Sequence, residues 1–251
     1  MKYLGSKNRL SKYLAPIIQS YITKDTKGYL EPFVGGANMI DKIEHHNKIG
    51  CDIHKELIAL LNKAKSNIDD IPNEITEEEY NKVKNNKSEY EDWYVGLVGF
   101  CATYSARYFE GYARSFKADG VTPRNMSAEA IRNLKKQSPK LKDIKFKNCN
   151  FLDLPKDKIK DYVIYCDIPY KGTKKYKTKE FPYEEFYKWA NEMAKNNIVL
   201  ISEYNMPKVF KCIWSKETKV QNDSNKKSGD ENNKRIEKLF VCNADNGYIY
   251  E

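Results

Sequence analysis

The stretch YVIYCDIPYKGT, residues 162–173, sets an acidic side chain directly after an apolar, β-branched run. Tyr162-Val163-Ile164-Tyr165-Cys166 reads as a buried strand of a parallel sheet, where both faces are covered and the run stays apolar throughout. Asp167 then falls at the carboxyl end of that strand, the edge at which open α/β sheets bind ligands. Pro169 and Tyr170 follow at once. A proline and an exposed aromatic ring predict a fixed loop able to grip something flat. A plain strand exit, capped by Asp and turned by Pro, has the same local sequence.

Outward from this strand, the rest of the chain reads as α/β with a break in the middle. Residues 10–22 have helical apolar spacing, and GYLEPFVGGANM (28–39) reads as a short strand, a glycine turn and a helix start. KIGCD (48–52) is a second short strand ending on an acid, and HKELIALLNKAK (54–65) is a helix. That βαβα beginning predicts a doubly wound parallel sheet. From 66 to 143 the chain turns polar, aromatic and mainly helical, with a glycine-bearing stretch at EGYARSFKADGVTPRN (110–125). Sheet signals resume at 144–154 and 162–167, a helix follows at 183–197, and strands follow at 198–204 and 237–244. Residues 220–234, polar and of low complexity, predict a mobile loop. The expected organisation is a Rossmann-like catalytic domain from 1–65 and 144–251, with 66–143 inserted as a helical subdomain.

Length and charge narrow the function. The 251 residues, 40% of them apolar, suffice for one α/β domain with an insertion or for two small domains. Forty-four Lys and Arg against 35 Asp and Glu leave a formal charge of +9, which favours a polyanionic partner, nucleic acid first. The six cysteines are scattered without metal-binding spacing and read as free thiols, and no metal site is expected. No apolar run approaches the roughly 20 residues needed to cross a bilayer. A soluble, cytoplasmic protein is expected, with the histidines His45, His46 and His54 read as surface residues.

Two features point to a nucleoside-bearing cofactor. Gly35 and Gly36 at a strand-to-helix turn would let the backbone approach a ligand, and a helix N-terminus beyond would offer N–H groups. Asp52 ends the next strand, 17 residues after Gly35. An acid about there accepts hydrogen bonds from ribose hydroxyls. It could equally cap the helix that follows, but the spacing favours the ribose. No phosphate-binding lysine motif is present, which argues against phosphoryl transfer.

YLGSK near the start, EPFVGGANM, Asp52 and the strand ending CDIPY, in this order, resemble the Dam-type (D12 class) adenine-N6 DNA methyltransferases, with phage- and prophage-borne members nearest in pattern. The resemblance implies S-adenosylmethionine as cofactor, adenine in double-stranded DNA as substrate, and target recognition by the insertion. It places Tyr3, Lys7, Glu31, Phe33, Gly35, Gly36, Asp52 and Phe151 around the cofactor, and Asp167, Pro169 and Tyr170 at the reaction site. Where the family usually has Asp-Pro-Pro-Tyr, this chain has Ile168; before Phe151, where an acid is common, it has Asn150. Lys174, Lys175 and Lys177 in the cationic stretch after Tyr170, and Arg107, Arg114, Lys117 and Arg124 in the insertion, are the expected DNA contacts. The competing readings are an amino-methyltransferase acting on RNA or on protein glutamine, and a DNA-binding relic without activity.

Overall fold

The computed structural model describes residues 1–171, 181–219 and 234–242. Seven strands form one mixed sheet in the order β3-β2-β1-β4-β5-β7-β6, an α/β, Rossmann-like arrangement as expected. The strands are β1 (Gly28–Glu31), β2 (Lys48–Asp52), β3 (Ile144–Asn148), β4 (Tyr162–Asp167), β5 (Ile198–Glu203), β6 (Phe210–Lys219) and β7 (Lys234–Cys242). By packing the chain divides into two compact units, Met1–Gln19 with Pro32–Asp153, and Ser20–Glu31 with Leu154–Glu251.

In the second unit, β4 is the predicted strand. It runs parallel to β1 on one side, with Gly28 opposite Tyr162, and parallel to β5 on the other, with Asp167 opposite Ser202. Two ladders leave its Val163–Cys166 core fully buried, which is why that run contains no polar alternation. β7 then pairs antiparallel to β5, and β6 antiparallel to β7. β6 was not anticipated from the sequence, because its lysines and Glu217 dilute the apolar alternation that marks a strand. Helix α6 (Tyr183–Ala194) turns Phe186, Trp189, Ala190 and Met193 inward, on the 3.6-residue spacing its sequence shows, and packs on β5 and β7.

The first unit pairs β2 and β3 in parallel, with Asp52 opposite Asn148. Its helices are α1 (Ser11–Ser20), α2 (Lys55–Ser66), α3 (Glu77–Asn85), α4 (Asp92–Cys101) and α5 (Met126–Gln137). Side-chain caps set two of the starts: Thr76 accepts the Glu79 N–H, and Asn125 accepts the Ala128 N–H at 2.9 Å. Residues 66–143 contain no strand beyond isolated bridges, and they pack within the first unit, chiefly through α4 on α2.

The helix expected after the glycine turn does not form. Ala37 adopts φ 55°, a left-handed conformation that stops helical propagation. Only a short 3₁₀ turn, Ile40–Lys42, fits before β2 begins. The helix N-terminus expected to face the cofactor is therefore missing. The cysteines are free, as read from their spacing, with Cys51, Cys101, Cys166 and Cys242 buried and Cys212 exposed. No helix is long and apolar enough to cross a membrane among the described residues.

The α2–α4 contact depends on a missing side chain. A Cβ on Gly96 would lie 2.2 Å from the Glu56 backbone carbonyl oxygen, so the two helices approach backbone to backbone only because residue 96 has no side chain. Gly96→Ala gains about 1 kcal/mol of helix propensity, but the overpacking costs roughly 1–3 kcal/mol. The expected outcome is a lower urea midpoint with an unchanged m-value; a raised midpoint would mean that the helices part at no cost.

Candidate functional site

Each unit carries its own set of site residues. In the first, Gly35 (φ 49°) follows β1 by a few residues and turns the chain so that its N–H points at Oδ2 of Asp52, 3.0 Å away. The other Asp52 oxygen accepts the His54 N–H, also at 3.0 Å. Asp52 is thus a bracket between two backbone segments, the glycine turn and the entry to α2. The capping alternative holds only in part: His54, not Asp52, is the N-cap residue, and it makes no side-chain cap. Burial pushes the Asp52 carboxyl up from its ordinary range while the backbone N–H groups pull it down, the burial being larger. A carboxylate has about four lone-pair sites, so Asp52 keeps acceptor capacity beside its backbone donors.

The glycine turn is covered by Tyr3. Cβ atoms on Gly35 and Gly36 would lie 2.8 and 2.7 Å from Tyr3 atoms, and the Tyr3 ring also leans on Phe100 at 5.7 Å. Phe33 and Phe151 meet at 5.3 Å and 44°, which brings together two residues 118 positions apart. Phe33 is half-buried and Phe151 buried. Lys7 lies on a short 3₁₀ turn, Lys7–Arg9, and is buried to 9% exposure. Among the histidines, His54 departs from the surface reading. It is half-buried, with its ring 4.4 Å from Tyr108 and 5.0 Å from Phe100, and its Nδ1 lies 3.1 Å from Glu56 Oε2 without hydrogen-bond geometry. Burial lowers its pKa. Nothing local to DIHKE foretells the aromatic residues that cover it.

In the second unit, Glu31 ends β1 fully buried and accepts a hydrogen bond from the Tyr29 hydroxyl at 2.7 Å. Asp167 ends β4, half-buried. Ile168 is 2% exposed, so the side chain that replaces the usual proline fills core space. Pro169 is exposed, and its carbonyl accepts from the Tyr183 hydroxyl at 2.9 Å. Tyr170 is not the exposed ring expected: it is 8% exposed, its hydroxyl donates to Glu237 Oε2 at 2.8 Å, and its face meets the edge of Tyr204 at 4.5 Å. The cause is β7, which brings Glu237 to the ring. Two carboxylates near this loop, buried Glu203 and half-buried Glu237, were not singled out from the sequence. Glu203 accepts the Lys171 N–H at 2.6 Å and the Tyr204 N–H. Its only sequence signal is an acid closing the apolar run IVLIS.

The insertion residues lie in a turn-rich segment. Lys117 N–H to Thr122 O, 2.8 Å, and Arg124 N–H to Ser115 O, 2.9 Å, close a hairpin over 115–124 with Phe116 and Val121 exposed at 59% and 77%. Lys117 is exposed on it. Arg114 pairs with Glu77, Arg124 pairs bidentately with Glu129 at 2.5 Å, and Arg107 lies 3.6 Å from Glu110. Lys174, Lys175 and Lys177 lie outside the described residues. Among the described residues no cluster of metal-ligating side chains occurs.

The Asp52 bracket yields a prediction free of any ligand. Asp52→Ala leaves two backbone N–H groups without their acceptor, which costs roughly 1–3 kcal/mol for each that stays buried. The urea midpoint without ligand should fall, and Asp52→Asn, which keeps one acceptor oxygen, should fall less. Equal midpoints for all three proteins would dissolve the bracket.

Comparison with known proteins bears on the first of these residue sets. No curated protein matches the chain. The crystal structure of SMU.472 complexed with SAH matches at 14% identity and a TM-score of 0.36, over 98% of this chain and 54% of that one; at that similarity it bears on neither fold nor function. The chain thus spans about half the length of that protein. Residues 3–95, which include Tyr3, the glycine turn and Asp52, match the family model of the D12 class N6 adenine-specific DNA methyltransferases, and it is to this family that the chain is similar.

Proposed function

We propose that the protein is a site-specific DNA adenine methyltransferase, transferring a methyl group from S-adenosylmethionine to N6 of an adenine flipped out of double-stranded DNA. The observation that carries this reading is an acid, Asp167, at the carboxyl end of a strand held by two parallel ladders, followed by a loop whose backbone is tied down. The family match over 3–95 supports it from the other end of the chain.

The residues of the first unit fit an adenosyl group. Gly35 and Gly36 leave the room over the turn that Tyr3 takes, and Asp52 is proposed to accept ribose hydroxyls beside its backbone donors. Phe33, half-buried against Phe151, offers a ring for the adenine. Tyr3 and Lys7 complete the proposed cofactor set of this unit. S-adenosylmethionine, when bound, supplies the electrophilic methyl group.

The chemistry asked of the second unit is to make a poor nucleophile better. The lone pair of the adenine amine is delocalised into the ring. Acceptors beside its two N–H bonds favour a pyramidal nitrogen with the pair localised. The Asp167 carboxylate is one acceptor and the Ile168 carbonyl the other; the next carbonyl, that of Pro169, is already engaged by Tyr183. Asp167 also stabilises the positive charge that builds on nitrogen. Pro169 restricts Ile168 to extended geometry, which aims its carbonyl. Tyr170 contributes as a buried support of the loop, held by Glu237 and Tyr204. A flipped base costs a few kcal/mol of unstacking, least where stacking partners replace those lost.

Residues 66–143 are the target-recognition segment in this reading. The exposed hairpin at 115–124 presents Lys117 for phosphate. Arg107, Arg114 and Arg124 each lie near a glutamate, so their use on DNA means exchanging one anion for another. Lys174, Lys175 and Lys177, outside the described residues, are proposed as further phosphate contacts on the strength of their sequence alone.

The deciding experiment is methyl transfer to plasmid DNA, with the modified base mapped. N6-methyladenine at a defined sequence is expected, with Asp167→Ala reducing single-turnover transfer by at least about 10³-fold, or ~4 kcal/mol in the barrier, at unchanged melting temperature. Transfer to RNA or to protein glutamine instead would move the substrate. S-adenosylmethionine and DNA binding without transfer would make the protein a binding relic.

Salt provides a second test. DNA affinity should fall steeply with salt, and Lys117→Ala should flatten the slope of log K against log salt by about one unit. An unchanged slope would remove Lys117 from the phosphate contacts.

A further inference from the structure

Glu203 is anomalous in its place. It closes the apolar run Ile198-Val199-Leu200-Ile201-Ser202 at the end of β5 and is 1% exposed. A buried carboxylate is costly unless hydrogen bonds compensate it. Its oxygens accept the Lys171 N–H, at 2.6 Å from Oε1, and the Tyr204 N–H on Oε2. Tyr204 is its own neighbour, but Lys171 is 32 residues away, the residue directly after Ile168-Pro169-Tyr170.

The position of Lys171 matters because of what precedes it. At one end of the loop, Asp167 is fixed by pairing with Ser202, the residue just before Glu203. At the other end the Lys171 backbone is fixed by Glu203 itself. Between them, Tyr183 takes the Pro169 carbonyl and Glu237 takes the Tyr170 hydroxyl. The segment 168–170 is therefore pinned at both ends to the end of β5. Of these ties, the Glu203 one joins a buried side-chain carboxyl directly to the loop backbone, at 2.6 Å.

We propose that Glu203 is a positioning residue for base methylation: it holds the backbone of 168–171 so that the Asp167 carboxylate and the Ile168 carbonyl flank the target amine. It touches neither substrate nor cofactor and acts through the loop. The inference rests on the methyl-transfer reading above and adds a residue that reading does not need. Its consequence is a signature in kcat rather than in binding, since a displaced acceptor is felt where charge develops and hardly in the ground state.

The test uses Glu203→Gln and Glu203→Ala in the full chain. Gln keeps an acceptor oxygen of the same reach, whereas Ala removes it. Glu203→Ala should lower single-turnover methylation by about 10²-fold, the scale expected when an acceptor shifts by an ångström. The S-adenosylmethionine Kd and the DNA KM should stay within about threefold. Glu203→Gln should restore the rate to within about tenfold of the parent. Hydrogen exchange of the peptide spanning 168–171 should speed up in Glu203→Ala and return toward parent in Glu203→Gln. If the parent methylates and Glu203→Ala is as fast, or if KM and Kd rise while kcat holds, the inference fails and the functional reading stands. If Glu203→Ala does not fold, a Glu203→Gln variant as slow as Asp167→Ala, or one without faster exchange at 168–171 despite a lost rate, overturns it. A parent that transfers no methyl group to any substrate overturns the functional reading and the inference together.

Discussion

The structure depends on the pairing of β4 with a parallel strand on each side. The strand pairs with β1 over Tyr162–Ile164 and with β5 over Val163–Asp167, and from Val163 to Cys166 it has no face open to water. It cannot tilt or slip without breaking both ladders, and a one-residue slip would turn its side chains to the wrong faces. Whatever stands at its end is therefore held in place by the sheet itself. Asp167 stands there, and the four residues after it inherit that rigidity through Tyr183, Glu203 and Glu237.

The same device occurs twice. At the tip of β2 the Asp52 carboxylate joins the glycine turn at Gly35 to the chain entering α2; at the tip of β5 Glu203 joins the strand exit at Tyr204 to the loop at Lys171. In each case one carboxylate takes a backbone N–H from its own neighbourhood and one from a distant segment. Backbone N–H groups at strand exits have no ladder partner, and a buried carboxylate has no water. Each satisfies the other, and the result is a fixed turn at the sheet edge where ligands bind. The two acids differ in exposure. Asp52 is half-buried and retains acceptor capacity toward a ligand, whereas Glu203 is closed in and faces the chain.

Charge is organised less simply than the net +9 implies. The insertion arginines stand beside glutamates rather than alone, Arg124 on Glu129 in a two-point clasp and Arg114 on Glu77. Exposed pairs of this kind contribute little to stability. Their effect is to hold the guanidinium groups in one orientation.

Much of the fold was legible in residue order. The apolar run at 162–166, the acid after it, the helices at 54–65 and 183–197 and the break at 66–143 are statements about local spacing, and local spacing is what burial on one or both faces selects. The glycine turn and Asp52 could be paired on paper because the 17-residue spacing between a glycine turn and a strand-end acid is itself a sequence feature. What the sequence did not contain were the partners. Tyr170 looks like an exposed ring until β7 brings Glu237 to its hydroxyl; His54 looks like a surface residue until Tyr108 and Phe100 close over it. The helix expected after Gly36 fails on the backbone of Ala37, whose left-handed φ no alanine announces. β6 becomes a strand by pairing with β7, against a sequence rich in lysine. By itself the sequence determined the sheet's central strand, the acid at its end and the order of the elements, because these follow from periodicity along the chain. Only the tertiary structure decided which acid holds which distant donor, the Lys171 N–H on Glu203 and the Tyr170 hydroxyl on Glu237, because a hydrogen bond between residues 32 or 67 positions apart leaves no mark on the local pattern of either.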